Sequence, residues 1–204
     1  MNENNPINDL KHIRNMMENS SRFISLSGLA GVFAGSFALI SAFVAYQLLK
    51  MNNVSYYDVP KIENENLLTK LFLLGFVTLI LSLSAGILVT VLKSKKNNLP
   101  IFTKTTYKML ENLFIPLICG GIVGLAFLYW NDVYYIAPAT LVFYGLGLVN
   151  ASKFTFGDVK YLGLCEIILG LISFFFIGYG LWFWTIGFGV LHIVYGIIMH
   201  RKYH

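Results

Sequence analysis

Six runs of apolar residues, each long enough to cross a bilayer, constrain this chain more than any other feature. They cover residues 23–49, 67–92, 113–130, 134–151, 161–178 and 181–199. A spanning helix needs about 20 mainly apolar residues, with roughly 17–25 tolerated. Hydrocarbon offers backbone N–H and C=O groups no partner, so only helices and closed barrels cross it. Barrel strands alternate apolar and polar residues over about ten positions, and these runs are continuously apolar. The expected fold class is therefore all-α: a polytopic membrane protein, a compact bundle of six transmembrane helices.

Composition agrees. Of the 204 residues 56% are hydrophobic and 12% are charged, with a mean hydropathy of +0.66. Soluble domains carry about twice that share of charge. An ordinary soluble domain, a disordered chain and a disulfide-rich secreted scaffold are excluded. The two cysteines, Cys119 and Cys165, both fall inside apolar runs and do not suggest a structural disulfide. The first 22 residues are polar and the run that follows is too long for the core of a cleavable signal peptide. Two regions result: a cytoplasmic amphipathic segment at 1–22 and a six-helix domain at 23–204. Within the first, Leu10, Ile13 and Met17 recur at helical spacing beside Lys11 and Arg14. That pattern predicts an interfacial helix; the alternative is a solvated extension of the first span.

The cations set an orientation. Lys11, Arg14, Arg22, Lys93, Lys95, Lys96, Lys104, Lys108, Lys153, Lys160, Arg201 and Lys202 fall on the side of the N-terminus, against Lys50, Lys61 and Lys70 on the other. Twelve against three predicts that both termini are cytoplasmic, because Lys and Arg near helix ends resist translocation. Tyr129, Trp130, Tyr134, Tyr135, Tyr179, Trp182 and Trp184 form an aromatic belt on the outer side. The loop 51–65, with Asp58, Pro60, Glu63 and Glu65, reads as an irregular solvated connection. Residues 93–100 read as a basic loop, and 101–112 as a short segment whose Lys104 and Lys108 contact anionic headgroups.

Lipid provides no hydrophobic drive between helices, so small residues that admit close backbone approach matter. The first span has Ser27, Gly28, Gly31, Gly35, Ala38, Ala42 and Ala45 on one stripe. The second offers Gly75, Ser82, Gly86 and Thr90, and the third has Gly120 and Gly124 with Gly121 adjacent. The fifth carries Gly163, Glu166, Gly170 and Ser173; the sixth carries Thr185, Gly189, His192 and Gly196. A faint repeat pairs Cys119 and Gly124 with Cys165 and Gly170, and Tyr144-Gly145 with Tyr195-Gly196. A duplicated helical hairpin and the general abundance of Gly and Tyr both produce such pairs.

Three stretches carry a family resemblance: SLSGLAG at 25–31, APATLVFYGLGLVNASK at 137–153 and FWTIGFGVLHIVYG at 183–196. Through them the chain resembles a group of uncharacterised bacterial integral membrane proteins of about 200 residues. The resemblance implies a bacterial inner-membrane location and transfers no catalytic or binding residue.

Ionisable residues inside a span are costly, which makes Glu166 and His192 the first candidates for chemistry. Both sit on the small-residue stripe of their helix, at similar depth from the cytoplasmic end. A carboxylate beside an imidazole can relay a proton or hold a polar ligand; satisfied packing residues are the competing explanation. Tyr144, Asn150, Cys119 and Cys165 are weaker candidates. A metal site built from the cysteines with Glu166 and His192 is disfavoured, since Cys165 and Glu166 point about 100° apart and no CxxC or HxxxH spacing occurs. No cofactor is implied. Asn150 and Ser152 read as a helix-end cap, and Asp158 as an N-cap or first-turn acid. Pro116 and Pro138 read as residues that bend or start their helices; a discontinuous helix opening an ion site is the sharper alternative. Phosphate loops, nucleophile elbows and dinucleotide fingerprints are missing from the sequence.

These features point first to a non-enzymatic inner-membrane protein that moves a small solute or a proton through its bundle, as a homo-oligomer in the lipid bilayer. The small-molecule ligand is not named by the sequence, and nucleic acid is not an expected partner. An accessory or sensory protein that binds a partner or lipid is the second class. An intramembrane lipid-modifying enzyme is the third.

Overall fold

The computed structural model describes residues 27–61, 65–98 and 100–203. The amphipathic segment expected within 1–22 and the start of the first span lie outside the described residues. Six helices form among them: α1 (Gly28–Met51), α2 (Glu65–Lys96), α3 (Lys104–Tyr129), α4 (Ile136–Ala151), α5 (Val159–Phe175) and a composite α6. The last runs as α-helix over Gly180–Trp184, as π-helix over Thr185–Leu191, and again as α-helix over His192–Tyr203.

Among the described residues five helical stretches are long and apolar enough to cross a membrane: Gly28–Met51, Asn66–Lys96, Lys104–Tyr129, Val133–Phe154 and Ile177–Tyr203. The sixth expected span, 161–178, corresponds to α5, which has 17 residues and rises only about 25 Å. Large apolar side chains cover much of the outer surface: Phe43, Phe76, Ile87, Leu88, Ile122 and Leu125 are each more than 60% exposed. Hydrocarbon solvates such a surface at no cost; water does not.

The third helix begins well before its apolar run. Thr103 is its N-cap: the Thr106 amide donates to Thr103 Oγ1 at 3.1 Å, and the Thr103 amide donates to Thr106 Oγ1 at 3.4 Å. Reciprocal capping satisfies two otherwise orphaned donors, so Lys104 and Lys108 belong to the spanning helix and not to a separate segment. Pro116 lies inside α3 without ending it.

Two groups of three helices pack together. In one, α1 lies between α2 and α6; in the other, α4 lies between α3 and α5. The N-terminal half of α6 joins them by resting on α4 and α5. Glycines make the closest approaches. A Cβ on Gly145 would lie 2.6 Å from the Gly163 carbonyl oxygen, and one on Gly163 would lie 2.7 Å from that of Gly145. Gly28 and Gly196 oppose each other in the same way across α1 and α6, and Gly35 meets the Gly189 carbonyl. The stripes read on the first, fifth and sixth spans are therefore packed.

The glycines of the second span make no such approach. Gly75 and Gly86 have nothing within 4 Å of a built Cβ, and neither do Gly121 and Gly124 on α3; only Gly120 there meets a neighbour, Phe143. A small residue permits approach but does not compel it: along the row Thr78, Ser82, Gly86, Thr90, Ser94 the two ends are buried and the middle is half-buried, as α2 rests on α1.

The connection after α1 is solvated over residues 52–55, as expected, but its next stretch is regular. It forms a 3₁₀-helix, Tyr56–Lys61, that meets the short turns Val133–Tyr135 and Ile177–Tyr179 at the aromatic end of the bundle. Pro138 leaves an acceptor open at this end. Lacking an N–H, it leaves the Tyr134 carbonyl without its helical donor, and the Tyr56 hydroxyl donates to that oxygen at 3.2 Å. Tyr57 stacks on Tyr134, with ring centroids 6.2 Å apart.

Candidate functional site: a buried tyrosine, histidine and glutamate

Glu166 lies seven residues inside α5, about 10 Å from its start. His192 lies at the junction of the π segment with the last α-helical part of α6. Tyr144 lies seven residues from the end of α4, which places it level with Glu166 in the antiparallel α4–α5 pair. Packing across Gly145 and Gly163, next to these residues, fixes that level.

The geometry links the three side chains. His192 Nδ1 is 3.4 Å from Glu166 Oε1, and His192 Nε2 is 2.8 Å from the Tyr144 hydroxyl. His192 Nδ1 also lies 3.0 Å from the Gly187 carbonyl oxygen. Glu166 has no exposed surface and His192 is only 5% exposed. Neither carboxyl oxygen of Glu166 has a hydrogen-bond partner in the protein. The distance of 3.4 Å is an ion-pair contact rather than a formed hydrogen bond.

Aromatic rings wall the imidazole. Phe188 lies within 20° of parallel to it at 5.8 Å, Tyr144 packs on Phe188 at 5.0 Å, and Trp184 packs on Phe188 at 5.1 Å. Water is thereby kept from the ring face. A buried carboxylate and imidazole cannot hold a net charge cheaply. A proton shared between the two groups, or exchanged with the Tyr144 hydroxyl, lowers that cost.

Further polar atoms extend the site along both helices. Ser173 Oγ, two turns beyond Glu166 on the same face of α5, and Tyr195 Oη, one turn beyond His192, are buried without a protein partner. Buried polar atoms of this kind are where ordered water is expected.

The remaining sequence candidates are not brought to the site. Cys119 and Cys165 are exposed on the outer surface of their helices. Asn150 is half-buried, nearly two turns beyond Tyr144 towards the end of α4. At that end Ser152 Oγ donates to the Val149 carbonyl at 2.7 Å. No group of three His, Cys, Asp or Glu side chains with the placement to hold a metal occurs among the described residues. Sequence reasoning missed Gly187 and the aromatic wall. Their signal was the four-residue spacing of Trp184, Phe188 and His192 around the Gly187-Phe188-Gly189 run.

Asp158 does not cap α5. It occupies the N-cap position without a side-chain cap bond. Its Oδ2 instead accepts from Lys202 Nζ at 2.6 Å and from the Tyr203 hydroxyl at 2.7 Å. The Lys202 ammonium, followed by the Tyr203 hydroxyl, holds the Asp158 carboxyl below its ordinary range. Phe156 stacks on Tyr203 at 4.1 Å. These contacts tie the start of α5 to the end of α6 and close the basic end of the bundle over Tyr195.

Compared with protein-family models, with curated proteins and with solved structures, the chain matches none. The site's own chemistry is what bears on function.

Proposed function

We propose that this chain is a bacterial inner-membrane protein with six spans and both termini in the cytoplasm, and that it moves protons through its bundle, alone or coupled to a small solute. One observation carries the functional part: a fully buried glutamate with two unpartnered oxygens faces a histidine whose other nitrogen is bonded to a tyrosine. Intramembrane acids and imidazoles in contact are the ordinary components of proton relays. A proton taken up on one ring nitrogen releases the proton on the other, so charge passes while the ring stays in place. Tyr195 and Ser173 offer water-binding positions on either side of the three residues, towards the basic and the aromatic ends. The exposed apolar side chains and the twelve-to-three distribution of cations support the placement in the membrane.

Proton flux into proteoliposomes, followed with a pH-sensitive dye under an imposed potential, tests the reading. Wild-type protein is expected to conduct above empty vesicles, Glu166→Gln and His192→Gln to fall to that background, and Tyr144→Phe to be slowed. Flux that survives both Glu166→Gln and His192→Gln, or wild-type flux equal to that of empty vesicles, overturns it. Reporter fusions after Lys96 and Lys202 should report cytoplasm, and a fusion after Lys61 the outer side; a reversed pattern overturns the orientation.

A further inference from the structure

The π-helical turn of α6 does more than carry His192. It places the Gly187 carbonyl oxygen against the Nδ1 atom of the ring, across the five-residue interval that a π turn spans. A carbonyl oxygen only accepts hydrogen bonds. At 3.0 Å, an unprotonated Nδ1 would oppose its lone pair to those of the oxygen, so Nδ1 carries the proton. Nε2 of the neutral ring is then the acceptor, and the hydroxyl 2.8 Å away makes Tyr144 the donor. Glu166 Oε1 approaches the same Nδ1 at 3.4 Å. Two acceptors, one backbone and one carboxyl, thus compete for one N–H, and the backbone oxygen is nearer.

Gly187 acts on Glu166 as well. A Cβ there would lie 2.5 Å from Glu166 Oε2 and 2.5 Å from Leu141 Cδ2. The carboxyl group occupies the space that any side chain at 187 would fill. One residue thereby sets the protonated nitrogen of the histidine and the seat of the glutamate.

We infer that Gly187 is a positioning residue that holds His192 in its Nδ1–H form and keeps that proton on the backbone carbonyl side, one short movement away from Glu166. This rests on the relay reading above and specifies its resting state. In the transfer step, with Glu166 as carboxylate, the Nδ1–H bond breaks and an O–H bond forms on Glu166 Oε1. Nε2 takes the Tyr144 hydroxyl proton as Nδ1 loses its own, so the ring stays neutral, and the Tyr144 oxygen takes up the incoming transported proton; one proton enters at Tyr144 and one is held on Glu166. The step leaves a bare Nδ1 facing the Gly187 oxygen, a disfavoured arrangement, so transfer proceeds only when the carboxyl moves in from 3.4 Å.

Nitrogen-15 NMR of histidine-labelled protein in bilayers, at a pH where His192 is neutral, reads the tautomer directly, with the His192 signal assigned by its loss in His192→Gln. The Nδ1–H form is expected to exceed the Nε2–H form by about tenfold or more, as the cost of an unmade buried hydrogen bond requires. A predominant Nε2–H form overturns the inference. Replacing Phe188 by its α-hydroxy analogue makes the 187–188 link an ester, a weaker acceptor, and should raise the Nε2–H fraction; an unchanged ratio also overturns it. Gly187→Ala should displace the Glu166 carboxyl and change the proton-flux pH profile, and Glu166→Asp in the same chain should restore it in part by withdrawing the carboxyl by one methylene. If that shorter acid gives no rescue, contact of the 187 side chain with the carboxyl is refuted. The tautomer is measured without flux. A correct tautomer in a protein that conducts nothing sinks the relay alone, and a reversed tautomer in a conducting protein sinks this inference alone.

Discussion

The facing pair Gly145 and Gly163 invites a quantitative test of how the bundle is held. An alanine at 145 would place a carbon 2.6 Å from the Gly163 oxygen, and one at 163 would place a carbon 2.7 Å from the Gly145 oxygen. Close carbon–oxygen contacts begin near about 3.3 Å, so either substitution requires α4 and α5 to part by about 0.6–0.7 Å. Backbone atoms are the obstacle, so a rotamer change cannot relieve it. A gap of about 0.5–1 Å forfeits a quarter to a half of each dispersion contact it opens, and α4–α5 is one of the two most extensive helix contacts among the described residues. Overpacking of this kind costs about 1–3 kcal/mol, and about 2 kcal/mol is expected for each single substitution. Once the helices have parted for one methyl, the second meets less resistance. The double variant should therefore cost less than the sum, by at least about 0.5 kcal/mol. Gly75→Ala is the control: nothing lies within 4 Å of its Cβ, so it should be neutral or gain up to about 1 kcal/mol from helix propensity. Unfolding midpoints in mixed micelles, taken through a denaturing-detergent titration, supply the comparison. Gly145→Ala as stable as Gly75→Ala, or strict additivity in the double variant, would refute the reasoning.

Three further outcomes are expected. Glu166→Gln and His192→Gln should each alter stability, and their double variant should depart from additivity by at least about 0.5 kcal/mol; a cycle that closes without an interaction term argues against contact at 3.4 Å. Tyr56→Phe should destabilise by about 1 kcal/mol through loss of the bond to the Tyr134 carbonyl, and in a Pro138→Ala background, where an N–H returns to that carbonyl, the cost should shrink. The Asp158 carboxyl titrates lower in the folded protein than in the unfolded chain, so its stabilisation is complete above the unfolded value and is lost as pH falls through the folded one. Acid unfolding of wild type and Asp158→Asn should therefore differ above about pH 4 and draw together progressively below it, as pH falls through the folded value; parallel curves across the whole range would show that the Lys202 and Tyr203 contacts contribute nothing.

The apolar, helical character of the chain was legible in the sequence, because a continuous apolar run has few stable fates; the start of α3 at Lys104, set by its capping box, was not. So was the prominence of Glu166 and His192, since an ionisable residue inside such a run stands out on cost alone. The packed stripes on α1, α5 and α6 followed from the helical period. What the period could not supply was the partner. Gly124 and Gly86 have the same spacing signals as Gly35 and Gly170, yet they face open space, because only the position of the next helix decides whether a small residue is covered. Asp158 had the sequence context of a cap, and the end of α6, more than forty residues away, took its carboxylate instead. Tyr144 was a weak candidate until the α4–α5 contact set its height against His192. The π turn was invisible for the same reason: no residue in Thr185–Leu191 demands it locally, and it arises where α6 must seat against α1 through Gly189 and against α4 and α5 through Gly187. Sequence determined which groups are buried; the tertiary structure alone determined which groups they meet, because hydrogen bonds and close packing depend on distances between segments that hydropathy and period do not encode.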